Sequence, residues 1–478
     1  MDNALEIFVP AACRQPAQWV LRWIFDDVLG VLARVVEHTG DQFEIRWRGR
    51  VLALENDFLR QHLPLWRQPG TLLIAPPRQW IHVRAMLDVE LEDTSIPVLW
   101  GEPGLVRTPQ GAYLKLDVIG SIFFLLSRYE EMIDPARDQY DRFPAAASLA
   151  MQRGFLQRPL VDEYIEILWA ALRSVWPGLT RKTARGMMRV SCDVDEPYER
   201  WIRNPWLLAQ GVAGALLRKR SLAGAATRVK NAWHSRRGDY LYDPHWTFDW
   251  YMTQLELCGS RGAFYFIATP GRTRYDCAYA LEEPRMQALL AQVAARGHEI
   301  GLHGSFNTYR DGAQLGRDRE RLRAALVRAR AEARSGTDAG AGGSTGAKAG
   351  PGASDDPLVR GNRQHYLRWD ATMTPDLLEQ AGFDYDASGG FPYDPGFRHG
   401  TAREFPMWSW KKQGPLRLRQ RPLMLMESAV LGDPGSALEH MARLKHTALR
   451  YGDFNLLWHN SRFTEPSDRE LFRQILAA

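Results

Sequence analysis

The sequence predicts an α/β fold: a parallel sheet or (β/α) barrel over residues 183–478, preceded by a smaller α+β unit over residues 1–182. Two observations lead there. From residue 187 onward, apolar strand-like stretches alternate with a helical pattern, in MMRVSCDVDEP (187–197), GAFYFIATP (262–270), PRMQALLAQVAARG (284–297) and HEIGLHG (298–304), the rhythm of parallel strands joined by crossover helices. The chain has 478 residues and 45% hydrophobic content, enough for more than one buried core.

In the first unit, apolar residues recur at helical spacing from 17 to 39 and Gly40 is the expected stop. FEIRWRGRVLALEN (43–56) then alternates as a hairpin does. GSIFFLLSRYEEM (120–132) and VDEYIEILWAALRSVW (161–176) read as helices, the second ending before Pro177 and Gly178. In the second unit two segments interrupt the α/β rhythm. Residues 336–357 are dominated by Gly and Ala with Ser and Thr, cannot bury a core, and are expected to form a flexible loop. Residues 211–238 are a basic excursion, with seven Lys/Arg and no acid between 216 and 237. It reads as a solvated helical excursion or as a peripheral contact for anionic lipid or a phosphorylated carrier.

Charge excludes little except nucleic acid. Lys+Arg and Asp+Glu number 61 and 56, for a net charge of +5, well short of a nucleic-acid-binding signature. Four cysteines without CxxC spacing read as reduced thiols. The stretch MDNALEIFVPAACRQPAQWV has no basic n-region and no signal-like apolar run, and nothing approaches the roughly 18 apolar residues of a membrane span. A cytoplasmic protein, at most peripheral at the inner face of a membrane, is expected.

Candidate chemistry lies at the predicted strand ends, where α/β folds place it. In SCDVDEP, Asp193 and Asp195 are two apart and share one face of an extended strand. Two carboxylates so close need a cation or a proton between them, although a helix cap or an arginine partner would also account for the pair. His303 ends the strand HEIGLH, while His298, five residues earlier, points to the other face and reads as structural. Arg363, His365 and Tyr366 cluster in GNRQHYLRW, and FNLLWHN delivers His459.

In this order the motifs resemble the polysaccharide deacetylase family of carbohydrate esterases. SCDVDEP is similar to the family's TFDDG-like motif with a valine inserted between the acids, which implies Asp193 as catalytic base and Asp195 as metal ligand. GHEIGLHGSFN matches the second motif up to His303, then places Asn307 where the family has histidine. Arg363-Gln364-His365-Tyr366 resembles Arg-x-Pro-Tyr with histidine for proline, and Leu456-Leu457-Trp458-His459 matches Leu-x-x-His. GSIFFLLSRYEE, RPLVDEYIEILW, FDWYM and GFRHGTAREFP further resemble bacterial proteins that fuse a domain of unknown function to a divergent deacetylase domain. The resemblance thus implies a distorted (β/α) barrel behind the N-terminal unit.

It also implies a divalent metal, Zn2+, held by Asp195 and His303. The third ligand is His365 or Asn307. An amide carbonyl is a poor Zn2+ ligand beside imidazole, so His365 is expected to close the set, leaving Asn307 to contact substrate together with Tyr366 and Trp250. Arg363 would orient Asp193 by a bidentate contact and His459 would act as general acid. The expected activity is metal-dependent N-deacetylation of an amino sugar, as a nucleotide- or lipid-linked precursor of a surface polysaccharide such as O-antigen or capsule. The alternative is an inactive relative that binds carbohydrate or assists polysaccharide assembly. Among the 17 tryptophans, Trp250, Trp369 and Trp408 are core by default.

Overall fold

The computed structural model describes residues 4–61, 63, 79–183, 185–199, 204–218, 220–338, 359–431 and 434–477. The Gly/Ala-rich segment falls, from residue 339 to 357, outside the described residues.

The N-terminal part is built on β1 (Leu5–Pro10), β2 (Ala33–His38), β3 (Phe43–Trp47) and β4 (Arg50–Leu54), a small pair β5 (Gln79–His82) and β6 (Ser95–Val98), and β7 (Gly101–Thr108) and β8 (Gly111–Leu116). Six of these form one mixed sheet in the order β2-β1-β3-β4-β8-β7. The expected hairpin is β3 with β4, turned by Arg48 and Gly49 at φ 49° and 72°; positive φ at both central residues matches the right-handed twist of the strands. The single helix expected over 17–39 is corrected. Helical turns run from Arg14 to Leu29 and stop at Gly30, φ 62°, where glycine adopts the left-handed conformation without a Cβ clash. The following ARVVEH, with adjacent β-branched valines, then pairs in parallel with β1. Helix Leu160–Val175 packs on this sheet, and helix Val118–Leu126 packs on that helix and on helix Arg14–Arg22. Arg128, at φ 53°, separates the first from the short helix Tyr129–Ile133.

The second sheet comprises β9 (Met188–Val194), β10 (Ala263–Phe266), β11 (Glu299–Gly304), β12 (Gly361–Gln364), β13 (Tyr385–Asp386), β14 (Phe405–Ser409), β15 (Gly414–Gln420), β16 (Leu425–Met426) and β17 (Phe454–Leu457). Its order is β14-β15-β13-β12-β11-β10-β9-β17-β16. All neighbours run parallel except β14 against β15. Among the described residues this ladder is an open row. Helices such as Phe248–Leu257 and Pro284–Ala295 make the crossovers.

One contiguous apolar core runs through both parts. Trp19 packs on Trp408 at 5.3 Å, and the indole N–H groups of Trp19 and Trp23 donate to the carbonyls of Pro406 and Glu404. Among the described residues no helix is long and apolar enough to cross a membrane.

Candidate metal centre

Parallel pairing brings the C-terminal ends of β17, β9, β10, β11 and β12 to one edge of the sheet. β9 carries Asp193 and leads directly into Asp195, β11 carries His303, and β12 holds Arg363 in register beside it. His365 follows β12 and His459 follows β17.

The carboxylate of Asp195 is the hub. Its Oδ1 lies 3.1 Å from His303 Nε2 and 3.6 Å from His365 Nε2, and its Oδ2 lies 3.5 Å from His459 Nε2. One ligand atom each from Asp195, His303 and His365 falls within a span of 4.8 Å, a group that could hold a metal ion. His303 Nδ1 meets the Arg363 carbonyl at 2.8 Å, so that nitrogen donates and Nε2 is the atom turned toward Asp195. A nitrogen and a carboxylate oxygen at this distance share a proton or a metal ion. Asp195 Oδ1, the oxygen that both imidazoles face, is buried without a hydrogen bond among the described residues. Burial raises the Asp195 pKa, but the imidazoles of His365 and His303 override it and hold the group well below the usual carboxylate range. Burial lowers the His365 pKa, and Asp195 with Asp276 raises it on balance to about 9.

Asp193 is almost wholly buried, with Oδ2 3.7 Å from His303 Nε2. Arg363 reaches Asp193 through one 3.7 Å ion pair, not the expected bidentate fork, because its guanidinium lies over the Tyr265 ring at 5.0 Å.

Of the residues expected to contact substrate, the structure places one in the cavity. Tyr366 lines a cavity of about 450 Å³ together with Asp193, Asp195, His303, His365 and His459. Asn307 lies on the surface, its amide oxygen taken by Arg368 at 2.9 Å, and it belongs neither to the ligand group nor to the cavity lining. Trp250 packs against Phe463 and Phe472 on the far side of its helix, away from the cavity. Trp369 and Trp408 are core. His298 is occupied, with Nδ1 accepting from Gly262 N at 2.9 Å and Nε2 facing Glu256 at 3.1 Å.

Three contributions escaped the sequence reading. Glu427, 1% exposed after β16, holds His459 Nδ1 at 2.8 Å; an acid at the end of a short apolar run, LMLME, was the available signal. Burial lowers the His459 pKa, but Glu427 reverses this and places it well above the ordinary value. Asp276 backs His365 at 3.8 Å from an irregular loop that has no periodicity to read. Finally, Tyr140 and Arg142 of the N-terminal part enter the cavity wall. Tyr140 packs on Tyr366 at 4.8 Å, and Arg142 donates to the Tyr366 carbonyl at 3.0 Å. That contact pins two successive left-handed residues, Tyr366 at φ 62° and Leu367 at φ 55°, a strained turn that only its surroundings can maintain.

Residues 5–177 match the model of a family of unknown function (DUF7033). No curated protein matches the chain. Among solved structures, the chain is similar to a "putative polysaccharide deacetylase" from Mycobacterium smegmatis, with 16% identity and a TM-score of 0.35, over 63% of this chain and 85% of that one. A likeness at that score decides neither fold nor chemistry.

Proposed function

We propose that the chain is a metal-dependent hydrolase that removes an N-acetyl group from an amino sugar presented as a nucleotide- or lipid-linked precursor of a surface polysaccharide. The observation that carries the reading is the convergence of Asp195, His303 and His365 on one point beside a second buried carboxylate, Asp193. On this reading the second sheet is a distorted (β/α) barrel. The Leu423 amide, which donates to the Gly389 carbonyl at 3.1 Å, supports it by linking the chain before β16 to the chain after β13.

One carboxylate and two imidazoles leave coordination positions open and suit Zn2+, though Fe2+ takes the same donors. Asp195, His303 and His365 would hold the ion, which when bound would supply a Lewis acid for the acyl carbonyl and for water. Asp193 accepts the proton of the attacking water, with the Arg363 guanidinium 3.7 Å from its Oδ1. His459, kept cationic by Glu427, gives its proton to the departing amine. Tyr140, Tyr366 and Tyr275 offer aromatic faces to a pyranose.

Elemental analysis of the purified protein is expected to find about one equivalent of Zn2+, with acetate released from acetamido-sugar nucleotides or lipid-linked glycans. A metal-free protein that still binds acetamido sugars would instead support the inactive, carbohydrate-binding alternative. Glu427→Gln tests the acid. Without that carboxylate the His459 pKa falls, so the alkaline limb of the kcat/KM profile is expected to move to lower pH while the acid limb stays in place.

A further inference from the structure

We propose that the helical hairpin spanning residues 204–238 docks the chain onto an anionic membrane surface, with the cavity at its foot. The helix Pro205–Leu217, PWLLAQGVAGALL, contains one polar side chain, Gln210, and no charge, yet only Ala215 is buried. A helix apolar on all sides is ordinarily covered, by a core or by lipid. Its partner Leu222–Arg236 covers one side, where Gly211 meets the Arg228 side chain. The rest is open: Trp206 is 66% exposed, Leu217 80%, Leu222 79% and Trp233 50%.

Charge identifies the cover. From 204 to 238 the sequence has seven Lys/Arg and no Asp or Glu, so the hairpin carries one sign of charge along its length, and Asp239 beyond it pairs with His234 at 3.1 Å. Arg218 and Arg220 flank the turn beside Leu217, and Arg236 and Arg237 close the second helix. Arg237 sits over the Trp233 ring at 3.6 Å and Lys230 over Tyr242 at 4.7 Å. Exposed leucines and tryptophans interleaved with cations are the composition of a helix lying at an anionic lipid interface. An apolar protein partner would offer no anionic groups to the hairpin's cations, as an anionic headgroup layer does.

The hairpin's attachment gives the docking a direction. The chain leaves the sheet after Val194 and comes back beside the cavity at His245, and both Glu196 and His245 line the cavity. The Asn460 side chain, next to His459, clamps the two ends by donating to the carbonyls of Glu196 and His245 at 3.0 and 2.8 Å. A lipid-bound hairpin therefore holds the cavity rim beside the headgroups. Resting on the hydrolase reading, this favours the lipid-linked over the nucleotide-linked form of the substrate.

Co-sedimentation of the full chain with vesicles tests the docking without metal or substrate, so its failure is separate from failure of the hydrolase reading. At least about tenfold more protein is expected on vesicles of equal phosphatidylglycerol and phosphatidylcholine than on phosphatidylcholine alone, with loss at about 1 M salt, where charges are screened beyond about 3 Å. Leu216→Glu with Leu217→Glu, and separately Arg218→Glu with Arg220→Glu and Arg236→Glu, should each reduce binding to the phosphatidylcholine level. Equal binding to both vesicle types, absence of binding, or full binding by the leucine variant would overturn the proposal. So would a concentration-dependent dimer in sedimentation velocity that the leucine variant abolishes, because the face would then be an interface between two copies.

Discussion

His365→Ala is expected to release the metal ion and abolish acetate release, while Asn307→Ala leaves both in place. His365 stands 3.6 Å from Asp195 Oδ1, is 4% exposed, and is one of three residues whose ligand atoms converge. Outer-shell partners of a metal already contribute about 10- to 100-fold in affinity, so loss of an inner ligand should weaken binding by at least about a hundredfold. Asn307 faces solvent and spends its carbonyl on Arg368; its removal should loosen a surface turn and nothing at the ion. Metal content after gel filtration reads both variants directly. A site emptied by Asn307→Ala and full in His365→Ala would reverse the ligand assignment.

What the sequence made legible was whatever repeats or ends. The strands MRVSCDV, EIGLHG and FNLL were readable because a strand buried between crossover helices is largely apolar, and they lead to Asp195, His303 and His459, whereas GNRQ before His365 has no apolar side chain and was marked only by its cluster of Arg363, His365 and Tyr366. Register did the rest, since parallel neighbours bring equivalent ends to one edge. Illegible features depended on partners distant in sequence. Glu427 matters only because β16 lies beside β17, and Asp276 only because its loop folds back under His365. The cavity wall formed by Tyr140 and Arg142 required knowing how the N-terminal part packs on the second sheet, which no local pattern encodes. The helix expected to reach residue 39 failed for a local reason: the spacing of its apolar residues fits both periods near Gly30, and the glycine's left-handed conformation decides for a turn.

That packing of one part on the other is itself held by charge, and Glu131→Ala is expected to destabilise the chain by about 3–5 kcal/mol at neutral pH, the usual result of removing one partner from a buried pair. Glu131, 2% exposed, accepts a two-pronged contact from Arg398 across the junction, at 2.8 and 2.7 Å, and a third hydrogen bond from Arg128 at 2.8 Å. Without it the buried Arg398 guanidinium loses its carboxylate, while Arg128 keeps Glu130 at 2.6 Å. Burial pushes the Glu131 pKa up, but Arg398 and Arg128 outweigh it and bring it down to about 2. A carboxyl depressed on folding stabilises above its unfolded pKa of about 4.3, and that contribution is lost as pH falls through the folded value. Urea melts should therefore separate parent and variant widely at pH 7, with the gap closing between about pH 4.3 and 2. Burial raises Asp162 and Asp117 to about 6 and about 7; this erodes stability as pH rises, but equally in both proteins, so it cancels from the difference. Arg398 also donates to the Gly390 carbonyl at 3.0 Å, ahead of Pro392 and Tyr393 in the cavity wall. A variant that survives folding should consequently show a raised KM with kcat little changed.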